Sequence, residues 1–303
     1  MKATCIIPSR GRVNTLLAAI ESLYLAQSGN HDIQYGIVCD VDDPATIGAA
    51  SLLRTARPVS YLVQEREPSL GAMVNKMADL MPADVYLALS DDCLCMTKGW
   101  DEVLAQAHAK DPNGVWWWKP HDPEKVFLYA IVSEGWRKAA GQIFTDYFPY
   151  WYDDVWLLTV CILATEMPSV TLDMEILDCP VTTTRMRDLR FWHEFYLAMQ
   201  PLRVKQAKDI AKALNLPQSK LVGAAAGLPD LSITEALSRR LTFTPPEFEA
   251  SMEEIEATQG DKSPPSPEYI KAKQRAELIL KQMAFLRGAA PTINALSQSL
   301  EAA

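Results

Sequence analysis

Two periods alternate along the first 130 residues. Lys2–Ile7 is a short apolar run that breaks into Pro-Ser-Arg-Gly-Arg, the pattern of a buried strand entering a loop. Over Val13–Tyr24 the spacing changes, and Leu16, Leu17, Ala19, Ile20, Leu23 and Tyr24 fall on one helical face. The same reading predicts strands at Ile33–Cys39, Val59–Val63, Val85–Leu89, Val115–Trp118 and Val126–Val132. It predicts helices at Ile47–Thr55, Leu70–Met81 and Gly99–Ala109. A β-α-β-α order of this kind implies an α/β fold, a mainly parallel sheet with helices on both faces. Ligands of such sheets bind beyond the carboxyl ends of the strands. Three strands end there in polar clusters: Pro8–Arg12, Asp40–Asp43 and Ser90–Asp92.

Past residue 195 the strand pattern stops. Segments near 203–215, 218–226, 231–240, 246–258 and 267–287 read as helices separated by proline-rich breaks. Two regions are therefore expected: residues 1–195 carrying the sheet, and a helical C-terminal appendage over 196–303. The appendage is expected to pack on the first region or on another subunit, as in a homo-oligomer.

Composition narrows the class. The 303 residues are 49% hydrophobic and 22% charged, the balance of an ordinary folded protein. The net charge of −9 disfavours a general polyanion binder. The stretch 181–220 nevertheless holds eight basic residues against Asp188, Glu194 and Asp209, so an anionic acceptor stays open. No apolar run is long enough for a signal-peptide core or a membrane span, and the expected location is cytoplasmic. The six cysteines sit in apolar segments and read as reduced core residues; Cys93-x-Cys95 lacks a second pair for a zinc site.

Carboxylates carry most of the candidate chemistry. Asp91 and Asp92 follow the apolar run Tyr86–Leu89, and holding two acids together at a strand end is costly without a cation. Mg²⁺ or Mn²⁺ would relieve that cost and bridge to diphosphate oxygens; a helix N-cap is the plainer explanation. Asp40, Asp42 and Asp43 are placed to accept from a base N–H or a ribose hydroxyl, or else to form a turn before Pro44. Asp153 and Asp154 follow the aromatic run Tyr147–Tyr152. Rings beside acids suit sugar binding, and a helix N-terminus explains the same two acids without chemistry. His193 lies in an aromatic stretch, where a structural histidine is common, and His121 sits in a loop.

The order of these pieces resembles GT-A glycosyltransferases of the family 2 type. Ile6-Ile7-Pro8-Ser9-Arg10-Gly11-Arg12 resembles their opening strand and loop, and Asp40–Asp43 their acidic turn after the second strand. Ser69-Leu70-Gly71-Ala72-Met73-Val74-Asn75-Lys76 is similar to their Gly-x-x-x-x-Asn helix start. Leu89-Ser90-Asp91-Asp92, with Gly99-Trp100 downstream, resembles their Asp-x-Asp motif, although Ser90 stands where the first aspartate usually lies. Tyr152-Asp153-Asp154-Val155-Trp156 is similar to their Glu-Asp base pair. The resemblance covers roughly residues 2–195. It implies a Rossmann-like nucleotide-diphospho-sugar transferase fold and a metal-dependent, inverting transfer from a nucleotide-sugar donor to an acceptor hydroxyl. It implies Pro8, Ser9, Arg10, Arg12, Asp40, Asp42, Gly71, Asn75, Ser90 and Asp91 as the donor site. Asp92 and His193 would be the contacts of Mn²⁺ or Mg²⁺, and Asp154, beside Asp153, the general base.

Two other classes compete. A sugar nucleotidyltransferase would need a glycine-rich phosphate loop, and Pro8–Arg12 holds a single glycine. A non-catalytic scaffold built on the same fold is motivated by Ser90 and the long helical tail. An acceptor made of modified nucleic acid is compatible with the basic stretch. The transferase reading requires Asp92 and Asp154 to open onto one cleft.

Overall fold

The computed structural model describes residues 1–122, 129–149, 152–166, 170–179, 187–217, 219 and 263–283. The chain runs β1 (Lys2–Ser9), α1 (Val13–Ala26), β2 (Asp32–Asp40), α2 (Pro44–Ala56), β3 (Val59–Gln64), α3 (Leu70–Leu80), β4 (Val85–Ala88) and β5 (Cys93–Cys95). It continues with α4 (Trp100–Lys110), β6 (Val115–Pro120), β7 (Ala130–Ser133), α5 (Glu134–Ala140), α6 (Asp153–Thr165), β8 (Val170–Asp178), α7 (Leu189–Ala198) and α8 (Gln200–Ala213). A further helix, α9, covers 267–283.

The strands form one eight-stranded sheet in the order β3-β2-β1-β4-β7-β6-β8-β5. Four neighbouring pairs are parallel and three antiparallel, so the α/β class and the mainly parallel sheet are as expected. Side chains on successive strand residues point to opposite faces. Ile6, Val38, Tyr86, Trp117 and Val132 accordingly enter one core, beneath α3, α5, α6, α7, α8 and α9. Cys5, Ile7, Ile37, Cys39, Leu87, Trp116, Trp118 and Ile131 enter the other, beneath α1, α2 and α4. Strands buried on both faces read as continuous apolar runs, which is why these segments showed no alternation.

Side-chain caps fix where several helices begin. Asp43 accepts from Thr46 N at the start of α2, Ser69 from Ala72 N at the start of α3, and Ser133 from Trp136 N at the start of α5. The Gly99-Trp100 pair is an anchor. Gly99 takes a left-handed φ of 69°, its N–H donates to Ala26 O, and Trp100 Nε1 donates to Leu23 O at 3.0 Å. Together they pin α4 against α1.

Four elements are additional to the sequence reading, α7 among them. β5 has only three residues, too few to give a pattern. α5 starts directly after β7 with no polar break beyond its cap. β8 buries Leu172, Met174 and Ile176 in clean alternation, and the outward Asp173 and Glu175 disguise it as a polar loop. The strand expected at Val126–Val132 begins at Ala130 among the described residues.

Helices expected at 218–226, 231–240 and 246–258 lie outside the described residues, Ser219 excepted. α8 and α9 place Val204, Ala207, Ile210, Tyr269, Ala272 and Ala276 in the same core as the sheet. The basic stretch is not one solvated face: Arg203 is 0% exposed, its guanidinium 3.8 Å from the Tyr196 ring centre. Lys205 is exposed and pairs with Asp209 at 2.6 Å. All six cysteines are free thiols; Cys179 is half-buried and the others are buried. Among the described residues no helix is long and apolar enough to cross a membrane.

Candidate active site

The carboxyl ends of β1, β2 and β4 open onto a cavity of about 310 Å³. That lies at the low end of the roughly 300–1,000 Å³ spanned by ligand pockets. Its wall includes Pro8, Ser9, Arg10, Arg12, Asp40, Ser90 and Asp92 from the strand ends, and Asp153 and Asp154 from the start of α6. Asp92 and Asp154 therefore do share one cleft.

The β1 loop is held by the acids that follow the neighbouring strands. Gly11 takes a φ of +67°, the left-handed region that glycine enters without strain. Its N–H donates to Asp43 Oδ2 at 2.7 Å. Burial works against the Asp43 charge, yet the hydrogen bonds from Thr46 and Gly11 keep its carboxyl below the usual range. Asp43 is thus a structural cap. Arg10 Nη1 donates to Asp40 Oδ2 at 3.0 Å, and Arg10 also forms a forked pair with the exposed Asp42. That pair lowers the Asp42 carboxyl pKa, the bond from Arg10 being the main cause. Asp40 faces the cavity. Asp42 is not among the lining residues and acts through Arg10.

At the end of β4 the two acids divide their tasks. Asp91, expected on the donor, is 0% exposed and is not among the lining residues. It accepts from Ser9 Oγ at 2.6 Å and pairs with Arg12 Nη2. Asp92 lines the cavity, with Oδ2 accepting from Arg12 Nη1 at 2.8 Å and Oδ1 accepting from Ser90 Oγ. Arg12 therefore bridges both acids. Ser90, in the place of a usual acid, serves as a hydroxyl donor to Asp92.

The Gly71 and Asn75 positions build the wall rather than line it. A Cβ on Gly71 would stand 2.1 Å from Thr145 O, so α3 can approach the 143–146 segment only with glycine there. Asn75 Nδ2 donates to Phe144 O at 2.7 Å, and its Oδ1 accepts from Ile143 N at 2.8 Å. Phe144, held in this way, lines the cavity together with Leu70, Met73 and Val74 from α3.

Opposite the strand ends lies the acid pair of α6. Asp153 is 5% exposed, and among the described residues neither carboxylate oxygen has a hydrogen-bond partner within good geometry. Burial first, then the neighbouring Asp154 charge, push its pKa well above the carboxylate range. Asp154 is less enclosed; its Oδ1 accepts from Val155 N at 2.8 Å, and burial raises its pKa too.

The described part of the aromatic run before this pair is largely packed inside the protein. Phe148 and Tyr152 are buried among Trp156, Trp192, Phe195 and Tyr196, while Pro149 reaches the cavity. Residues 150 and 151 lie outside the described set. His193 belongs to the same packed cluster, its Nδ1 3.2 Å from Tyr152 Oη, and it is not among the lining residues. The structure thus places it with Tyr152 and not among the residues that line the cavity with Asp92.

Arg66, Glu67 and Tyr129 are among the lining residues that escaped the sequence reading. Arg66 follows β3 in the polar run Gln64–Glu67, a fourth strand end that the same rule could have flagged. Tyr129 precedes an antiparallel strand and gave no such cue. Its hydroxyl donates to Asp178 Oδ1 at 3.1 Å, and burial pushes its ionisation far up.

No protein-family model and no curated protein matches the chain. Solved structures do. The Pyrobaculum calidifontis mannosyltransferase PcManGT, in complex with GDP-Man and Mn²⁺, superposes with a TM-score of 0.51 at 14% identity, covering 91% of this chain and 87% of that one. S. aureus TarS 1–349 in complex with UDP-GlcNAc gives a TM-score of 0.59 at 13% identity, covering 90% and 79%. Its complex with UDP gives 0.54 at 12% identity, covering 83% and 78%. The chain thus has the GT-A glycosyltransferase fold that its motifs resemble.

Proposed function

We propose that the protein is a glycosyltransferase that moves a sugar from a nucleoside-diphosphate donor to an acceptor hydroxyl with inversion. The observation that carries this reading is the shared cavity: Asp92 and Arg12 stand on the strand-end wall and Asp154 on the α6 wall. Asp40 and Arg10 would hold the nucleoside, with Ser9 and Arg12 near the diphosphate.

The charge of the cavity suits a divalent cation. Five acids (Asp40, Glu67, Asp92, Asp153, Asp154) and three arginines (Arg10, Arg12, Arg66) line it, so a diphosphate would add negative charge to an already acidic wall. Among the described residues no three of His, Cys, Asp and Glu come together to hold an ion by themselves. Hard cations such as Mg²⁺ and Mn²⁺ are often held by one or two carboxylates plus substrate phosphates, and Asp92 offers that carboxylate. Bound there, the ion would supply neutralising charge to the departing nucleoside diphosphate.

The protein's own part is acid–base and positional. The sugar's anomeric carbon–oxygen bond breaks with its electron pair leaving on the diphosphate. The acceptor oxygen forms the new bond from the opposite face, and its proton passes to Asp154. The Ser9–Asp91–Arg12 cluster keeps the diphosphate wall fixed while this happens.

A screen of UDP-, GDP-, CMP- and dTDP-sugars for donor hydrolysis, with and without Mn²⁺, tests the reading. Release of nucleoside diphosphate from at least one of the diphosphate donors, abolished in Asp154→Asn, is the expected result. Pyrophosphate release from a nucleoside triphosphate and a sugar 1-phosphate would instead assign a nucleotidyltransferase. Absence of both would leave a fold without this chemistry.

A further inference from the structure

The mechanism above uses one acid of the α6 pair and leaves the other without a task. Asp153 lines the cavity at 5% exposure, and among the described residues its oxygens meet no hydrogen-bond donor in good geometry. A carboxylate desolvated in this way is costly unless a cation or several N–H groups face it. Among the described residues no cation is paired with it. On its own helix the neighbour is Asp154, and from the 143–149 segment the charge that reaches it is Asp146. From α3 only the Gly71 amide points toward it, without closing a good bond. Across the cavity Arg12 is engaged by Asp91 and Asp92, and Arg10 by Asp40 and Asp42. Arg66 and Glu67 line the wall from the segment after β3. Asp154, by contrast, keeps Val155 N–H on Oδ1 and is more open to the cavity. A single proton shared by two adjacent acids settles on the one with the poorer solvation.

Resting on the glycosyltransferase reading, we propose that Asp153 works as an uncharged carboxylic acid that donates a hydrogen bond to a hydroxyl of the transferred sugar. A carboxylic acid held neutral by an apolar site can donate where a carboxylate could only accept. The ligand it selects is a neutral polyol rather than a phosphate or a second carboxylate. Asp154 remains the charged member and keeps the role of base. The pair then divides into a donor that positions the sugar and an acceptor that takes the proton.

Infrared spectroscopy of the ligand-free protein at neutral pH reads the first half of this directly. The expected result is a protonated-carboxyl C=O band that disappears in Asp153→Asn and persists in Asp154→Asn. Calorimetry with UDP-GlcNAc, GDP-mannose, UDP and GDP reads the second half. Asp153→Ala should weaken whichever sugar donor binds by about tenfold relative to its bare nucleoside diphosphate, with Asp153→Asn recovering part of the loss because an amide also donates. Absence of the acid band, or equal affinity of wild type and Asp153→Ala for the sugar donor, overturns the assignment even if transfer is observed. An acid band in a protein that binds none of the four ligands and hydrolyses no nucleotide-sugar in the screen above overturns the sugar-binding role together with the glycosyltransferase reading.

Discussion

Arg12 Nη1 lies 2.8 Å from Asp92 Oδ2, and the other guanidinium nitrogen of the same side chain pairs with the fully buried Asp91. One arginine from the β1 loop thus neutralises both acids at the end of β4. Removing it would take away the cation that faces the fully buried Asp91 and the partly enclosed Asp92. Arg12→Gln is expected to cost about 3 kcal/mol, seen as a lower Tm in calorimetry, and to weaken nucleoside-diphosphate binding.

The cation requirement follows from the same cluster. With Asp92 facing an acidic cavity, chelation by EDTA should lower donor turnover by about a hundredfold, restored by Mn²⁺ or Mg²⁺. Asp92→Asn should have low turnover that hardly responds to added metal. Full activity in EDTA would mean that Arg10, Arg12 and Arg66 suffice for the diphosphate.

Asp154→Asn should reduce transfer by about 10²–10⁴-fold while donor affinity changes little. The base must be ionised to act, and burial raises its pKa. Turnover should therefore rise with pH through a midpoint above the ordinary aspartate value of about 4. A pH–rate profile with its acid limb at or below that value would argue for another base.

Stability should show the opposite sign at Asp153. Its folded-state pKa is raised, so its contribution is fully present below the unfolded-state pKa and is lost as pH rises through the folded value. Asp153→Asn removes that ionisation. The Tm of the variant relative to wild type should climb as the pH is raised from about 4, the unfolded-state value, by calorimetry across a pH series.

Gly71→Ala puts a methyl group 2.1 Å from the Thr145 carbonyl oxygen, a backbone atom that cannot rotate away. A loss of about 2 kcal/mol is expected. Because the displaced segment carries Phe144 into the cavity wall, donor affinity should fall with it, whereas a lower Tm alone would show that the wall re-forms elsewhere.

The sequence alone determined the α/β order through Ala109, the three-residue β5 excepted, and the polar ends of β1, β2 and β4, since period and turn chemistry are local. It also placed Pro8–Arg12, Asp40, Ser90 and Asp92 on one edge, because parallel strands share a carboxyl end. Local pattern could not separate the duties of neighbours: Asp91 behind the wall and Asp92 on it, Asp43 as a cap and Asp40 in the cavity, Asp153 dry and Asp154 more open. Nor could it place His193 with Tyr152, or bury Arg203 against Tyr196. Those outcomes depend on which helix covers which residue, a matter of packing between segments distant along the chain, and tertiary structure decides them because burial and charge pairing are properties of that packing.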